Sequence, residues 1–198
     1  MDSLTWGFVA VAVLLGVAWY LSYSAARLDR LHTRAEGALS ALDAQLVRRA
    51  EATLELANSG ALDPASALML AGVASESLEA HNERALEDDL LDGQSFGARE
   101  GLESDLTEAL QAALTADVVA DLRRGGPSGP AGLGASSLQR VEAAGVRVQL
   151  ARRFLNDAVT DVRRVRRKWV VRWFRLAGHA DLPRTVEFDD ELPPAVRD

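Results

Sequence analysis

The sequence predicts an all-α protein: an N-terminal transmembrane helix, then an up-down antiparallel four-helix bundle with long first and last helices. Three observations carry this. Apolar residues recur at a spacing near 3.6, and no stretch alternates with period two over strand length. Gly, Pro, Asn and Asp cluster between the helical runs, around Asn58–Pro64, Asp92–Ser95 and Gly125–Gly134. Finally, no charged residue occurs from Ser3 to Ala26.

The uncharged segment, Leu4 to Tyr23, matches the ~20 helical residues that cover the ~30 Å hydrocarbon layer. Trp6 stands near one end, and Trp19, Tyr20 and Tyr23 near the other, where amphipathic rings meet headgroups. Met1-Asp2-Ser3 lacks the basic side chain of a signal peptide, so an uncleaved anchor is expected. Arg27, Arg30 and Arg34 follow the span and none precedes it. The positive-inside rule then places the N-terminus outside and the C-terminal domain in the cytoplasm of a single-pass cell-membrane protein. The expected division is 1–26 for the tail and anchor, 27–178 for the bundle and 179–198 for an extended acidic, Pro-containing tail.

Beyond the span, Leu28, Leu31, Ala35, Leu39, Leu42, Leu46, Ala50, Leu54 and Ala57 form one apolar stripe. Nothing between Tyr23 and Arg27 breaks a helix, so span and domain helix read as one rod. Gly60 is suited to a left-handed cap at its end. Asp63 and Pro64 are the N-cap and first position of a second helix, with Ala67, Leu70, Ala74, Leu78, His81 and Ala85 inward. A third helix is expected from about Ala98 to Arg123, with Leu102, Leu106, Leu110, Ala113 and Leu114 inward. The last, from Ser137 to about Ala177, has a heptad seam. Val141, Val148, Leu155, Val162 and Trp169 recur every seven residues, with Ala144, Ala151, Ala158 and Val165 at the second position. The extra turns of the first and last helices should pair with each other. The tail should dock through Val186 and Phe188.

Several stretches resemble a known family. Ala41-Leu-Asp-Ala-Gln-Leu-Val-Arg-Arg49 resembles the first-helix signature of the bacterial LemA family. Arg152-Arg-Phe-Leu-Asn-Asp-Ala-Val159 resembles its last-helix motif, and Leu182-Pro-Arg-Thr-Val-Glu-Phe188 its closing tail. The resemblance spans nearly the whole chain. It implies a membrane-anchored helical bundle and carries no biochemical activity with it.

Composition bounds the chemistry. Without cysteine there is no disulfide, thiolate catalysis or Cys-based metal site. A di-metal bundle needs two Glu-x-x-His units, and the one acidic-x-x-His present is Asp29 to His32 beside the membrane. Glu87-Asp88-Asp89 and Asp92 lack calcium-loop spacing, and Gly125–Gly134 lacks the Gly-Lys-Ser/Thr of a phosphate loop. No catalytic, cofactor or metal residue is assigned. The net charge of −7 opposes nucleic-acid binding. The favoured function is a non-enzymatic membrane-anchored scaffold or adaptor, with the bilayer and either other membrane proteins or copies of itself as partners. The alternative is a membrane-bound sensor or enzyme with a small-molecule site in the bundle core.

Two places stand out. Asn156 follows the seam residue Leu155, where it either bonds across the bundle or faces solvent. Arg152 to Arg175 carries nine basic residues, against thirteen acidic ones from Glu76 to Asp121. In an up-down bundle the fourth helix ends beside the bilayer. Arg166, Arg167, Lys168, Trp169 and Trp173 are therefore the expected lipid contacts. The rival expectation is that the basic stretch faces the acidic second and third helices.

Overall fold

The computed structural model describes residues 3–83, 97–124, 132–174 and 182–197. Helix is the only regular secondary structure among the described residues, with no strand among them. The chain opens on α1, Ser3–Ala57, a single uninterrupted helix. Its N-terminal part is long and apolar enough to cross a membrane, and none of that window is buried against the rest of the chain. From Leu28 the expected stripe turns inward: Leu28, Ala35, Leu39, Leu42, Leu46, Ala50 and Ala57 are buried. One helix therefore has two solvation regimes, apolar all round and then apolar on one stripe.

Gly60 ends the turn after α1 with φ of +71°, as its sequence position suggested. Asp63 caps α2, Pro64–Glu83: its Oδ1 accepts from the amides of Ala65 at 3.0 Å and Ser66 at 3.1 Å. That lowers the Asp63 pKa from its ordinary value, chiefly through the Ser66 side chain and amide. The acidic run at Glu87–Asp92 and most of the Gly125–Gly134 loop lie outside the described residues.

The third run is two helices rather than one: α3, Gly97–Ala113, and α4, Ala116–Arg124. Had α3 continued, Asp117 and Asp121 would follow Leu110 and Leu114 onto its inward face. The break at Leu114-Thr115 leaves both aspartates exposed and buries Val119 and Leu122. The last helix also departs from expectation. It starts earlier and stops sooner, as α5, Leu133–Arg166. Arg167 and Lys168 close it, the Lys168 amide reaching back to Val165 at 3.1 Å in a tightened turn. A short α6, Trp169–Trp173, follows. The change of direction ends the heptad seam, so Trp169 is 68 % exposed where it was expected inward, and Val171 is buried instead.

The packing partners fix the topology. Going up α1, Leu28 packs with Val165, Ala35 with Ala158 and Val162, and Leu42 and Leu46 with Val148 and Leu155. The sequence numbers run in opposite directions, so α1 and α5 are antiparallel, with the small residues at the second heptad position buried between them. Helix α2 folds back along the upper half of α1. Helices α2, α3 and α4, with the final turn α7, Pro194–Arg197, share one large cluster around Leu56, Leu70, Leu106, Leu110, Leu122 and Val141. Among the described residues, the α1–α5 pair runs on below about residue 41 without α2 or α3, in line with the expected pairing of extra turns.

The extended tail fills the gap between α3 and α5. Thr107 and Ser104 bond the Asp189 backbone at 2.7 and 3.1 Å, and Gln149 bonds the Asp190 carbonyl at 2.7 Å. Val186, Phe188, Leu192 and Val196 are buried. Gly145 makes the approach possible, since a Cβ there would overlap Leu192.

Candidate functional site

Three regions qualify, and the first was not foreseen. Arg49 on α1 and Glu103 on α3 are 3 % and 0 % exposed. Arg49 Nη2 donates to Glu103 Oε2 at 2.6 Å and to the Glu103 carbonyl at 2.9 Å; its Nη1 donates to Thr107 Oγ1 at 3.0 Å. Ser77 Oγ on α2 donates to the other carboxylate oxygen at 2.8 Å. Arg99 Nη1 lies 2.8 Å from Asp43 Oδ1, and His81 Nδ1 is 3.1 Å from Asp43 Oδ2. The Phe188 ring lies between two guanidinium groups, 5.9 Å from Arg49 and 5.6 Å from Arg152. Arg152 in turn grips Asp190 with two bonds, at 2.7 and 2.9 Å.

This cluster binds α1, α2, α3 and the tail together. Both oxygens of Glu103 are occupied, and its charge is neutralised inside the core, so its chemistry is that of a lock. Among the described residues no group of three His, Asp or Glu side chains gathers to hold a metal. His81, expected on the apolar stripe, sits at the edge of this network, half-buried on Asp43. The signal available for the cluster was the polar row Arg99, Glu103 and Thr107 at i, i+4 and i+8 on α3.

Asn156 belongs to the same tail-holding system. Its Nδ2 donates to the Val186 carbonyl at 3.0 Å and its Oδ1 accepts from the Val186 amide at 2.9 Å. The partner is thus tail backbone rather than a second helix, and the side chain acts as a one-residue strand edge.

The second region is the end beside the apolar half of α1. Trp173 is 77 % exposed and, like Trp169, stands beside the apolar half of α1. A cleft of about 660 Å³ lies between them, lined by Val13, Gly16, Val17, Trp169, Trp173 and Phe174. A smaller cavity of about 240 Å³ adjoins it at Tyr20, lined also by Tyr23, Ser24, Arg27 and Lys168. Arg167 and Lys168 are exposed, whereas Arg166, grouped with them from the sequence, is buried. Among the described residues the Arg163–Lys168 turns pack at the level of Leu28 to Ala35, below Pro64–Glu83 and Gly97–Ala113, while the acidic run Glu87–Asp92 lies outside the described residues. Asp161 lies 3.9 Å from Arg164 and 3.8 Å from Arg34.

The third region is on the outer side of α5, where Val146, Leu150 and Phe154 form an exposed apolar ridge at i, i+4 and i+8. Near it an open groove of about 470 Å³ runs along the α1–α5 seam, lined by Arg48, Glu51, Glu55, Arg140 and Arg147 among others. It opens on the surface, not in the bundle core.

No protein-family model, curated protein or solved structure matches this chain.

Proposed function

We propose that the protein is a membrane-anchored, non-enzymatic helical scaffold or adaptor of the LemA type. It would cross the membrane once, with an up-down four-helix head in the cytoplasm. The observation that carries this reading is the continuity of α1. A fully unburied apolar helix long enough to span a bilayer runs unbroken into the helix around which the head packs. The basic residues support the orientation. Folding puts Arg164, Arg167 and Lys168 at the same end as Arg27, Arg30 and Arg34, on the side where the positive-inside rule expects cations. The buried polar groups support a structural role, because the Arg49–Glu103 network is consumed in holding the head together. The ridge of Val146, Leu150 and Phe154 supplies apolar surface for protein contact.

The orientation is tested with paired reporters fused after Asp198. A reporter that works only in the cytoplasm should be active, and an export-dependent one silent; the opposite pattern overturns the topology. The adaptor role is tested with a photo-crosslinker at Leu150 in native membranes. A discrete adduct is expected, to a second copy or another membrane protein, and it should vanish with Val146→Glu and Phe154→Glu. A folded, anchored protein with no adduct from this ridge overturns the scaffold reading.

A further inference from the structure

We infer that the space between α1 and α6 is a binding site for one anionic phospholipid. Its phosphate would sit between Arg27 and Lys168, and one acyl chain would lie in the cleft beside Trp169 and Trp173. The inference rests on the membrane-anchored reading.

The two cavities at this end differ in chemistry in the order a lipid requires. The smaller one gathers two cations, Arg27 and Lys168, with the hydroxyls of Tyr20, Tyr23 and Ser24. Among the described residues neither cation has a side-chain hydrogen bond or ion pair, and none of the described residues lining either cavity is Asp or Glu. An anion is the complement of such a set, and phosphate oxygens accept from Arg, Lys and hydroxyl groups alike. The larger cavity is almost wholly apolar. It begins at Tyr20, where the smaller one ends, and continues toward Val13.

Depth agrees with this assignment. Arg27 is seven residues past Tyr20, about 10 Å along the helix, which puts its charge at headgroup level. Val13 is seven residues before Tyr20, about 10 Å the other way. One leaflet of the hydrocarbon layer is about 15 Å deep, so the cleft follows much of an acyl chain's path. A soluble anion would use the upper cavity alone and leave the lower cleft empty of purpose. A peptide would bring backbone polar groups into the hydrocarbon with no water to satisfy them. Gly16 keeps the cleft open: a Cβ there meets nothing within 4 Å, so a bulky side chain would enter the space. The exposed rings of Trp169 and Trp173, stacked edge to face at 6.0 Å, form the outer wall.

The test uses the full-length protein in bilayers of equal phosphatidylglycerol and phosphatidylcholine. After mild detergent extraction, retained lipid is read by native mass spectrometry. One phosphatidylglycerol is expected, favoured roughly tenfold over phosphatidylcholine, a factor that basic groups near an anionic headgroup supply. Arg27→Gln with Lys168→Gln should bring the ratio to about one. Gly16→Phe should lower retention of both lipids. Excess inorganic phosphate should not release the lipid. Equal retention of the two lipids by the wild type overturns the proposal, as does an undiminished preference in the double variant. Release by phosphate alone would show a free-anion site instead. Flotation with bilayers is measured in parallel. A wild type that floats without lipid preference sinks this proposal and leaves the anchor standing, while one that does not float sinks the anchor itself. If the double variant loses its helical circular dichroism, Lys168→Glu serves in its place, because it changes one exposed side chain and should invert the preference.

Discussion

The α1–α5 pair is built to two thicknesses. At its upper end, Ala50 to Ala57 and Leu138 to Ala144 are wrapped by α2, α3, α4 and α7, and the cluster is continuous across all of them. At its lower end, Leu28 meets Val165 and Val171, with half-buried Leu31 beside them. The head therefore holds its own stability, while the stalk is a two-helix seam with one buried stripe per helix. Hydrophobic burial scales with the apolar area withdrawn from water, so the head carries most of it. The polar residues follow the same division. The head buries Arg49, Glu103, Ser77 and Thr107 in one network, and the stalk, Arg166 apart, keeps its charges at the surface, with Arg34, Asp161 and Arg164 in loose pairs. Exposed pairs of that kind contribute about 0–1 kcal/mol.

The strongest way to break this division is to unpair the buried charges. Glu103→Leu should lower the unfolding free energy of the head by about 3–5 kcal/mol, because Arg49 stays buried without its carboxylate. Arg49→Met together with Glu103→Leu should recover a large part of that loss. Denaturant unfolding of the full chain in micelles reads both beside Arg49→Met alone, and a double-variant loss equal to the sum of the two single losses would show that the two are not coupled.

A second pair of variants compares the two thicknesses directly. Leu106→Ala in the head should cost about 2–5 kcal/mol in global unfolding. Leu28→Ala in the stalk removes the same atoms, but should instead speed amide exchange at the Val162–Arg166 end of α5, with little change in the head. A stalk variant that lowers head stability as much as Leu106→Ala would mean the two regions unfold as one.

The tail sharpens the upper boundary. Asn156→Leu leaves the Val186 amide and carbonyl without their partners, at a cost of about 1–3 kcal/mol. Hydrogen exchange at Val186 and Phe188 should accelerate before that of α2. The smallest effect is at the α2 cap. Folding lowers the Asp63 pKa, so its stabilising contribution is present above its ordinary value near 3.8 and is lost as pH falls through the folded value. The melting difference between wild type and Asp63→Ala should be present at about pH 7 and shrink at about pH 3. A difference that stays constant with pH would mean the charge is not what caps the helix.

How much of this was legible depends on whether the deciding partner is near in sequence. The bounds of α1 and the start of α2 were legible, since Gly60, Asp63 and Pro64 act within their own turns. So was the docking of the tail through Val186 and Phe188, whose neighbours are polar. The break between α3 and α4 was not, because local propensity permits a continuous helix. It is the face that Asp117 and Asp121 would then present that forbids it. The end of α5 failed similarly. A seven-residue repeat extrapolates to Trp169 only while the helix keeps its direction. Arg49 and Glu103 are 54 positions apart, and each alone reads as an ordinary surface charge. Asn156 was singled out, but its partner is a backbone segment, and backbone groups leave no mark in a sequence.

The unbroken α1 also makes the protein a lever. In the membrane-anchored reading proposed above, Arg27 to Ala57 would extend about 45 Å from the bilayer surface. A transmembrane helix leans to match the thickness of its bilayer, commonly by about 20°. With no joint at Tyr23 to Arg27, such a lean would pass to the head, and a change of ~20° would sweep its far end sideways by ~15 Å. On that reading the thickness of the surrounding membrane would set where the ridge on α5 can reach.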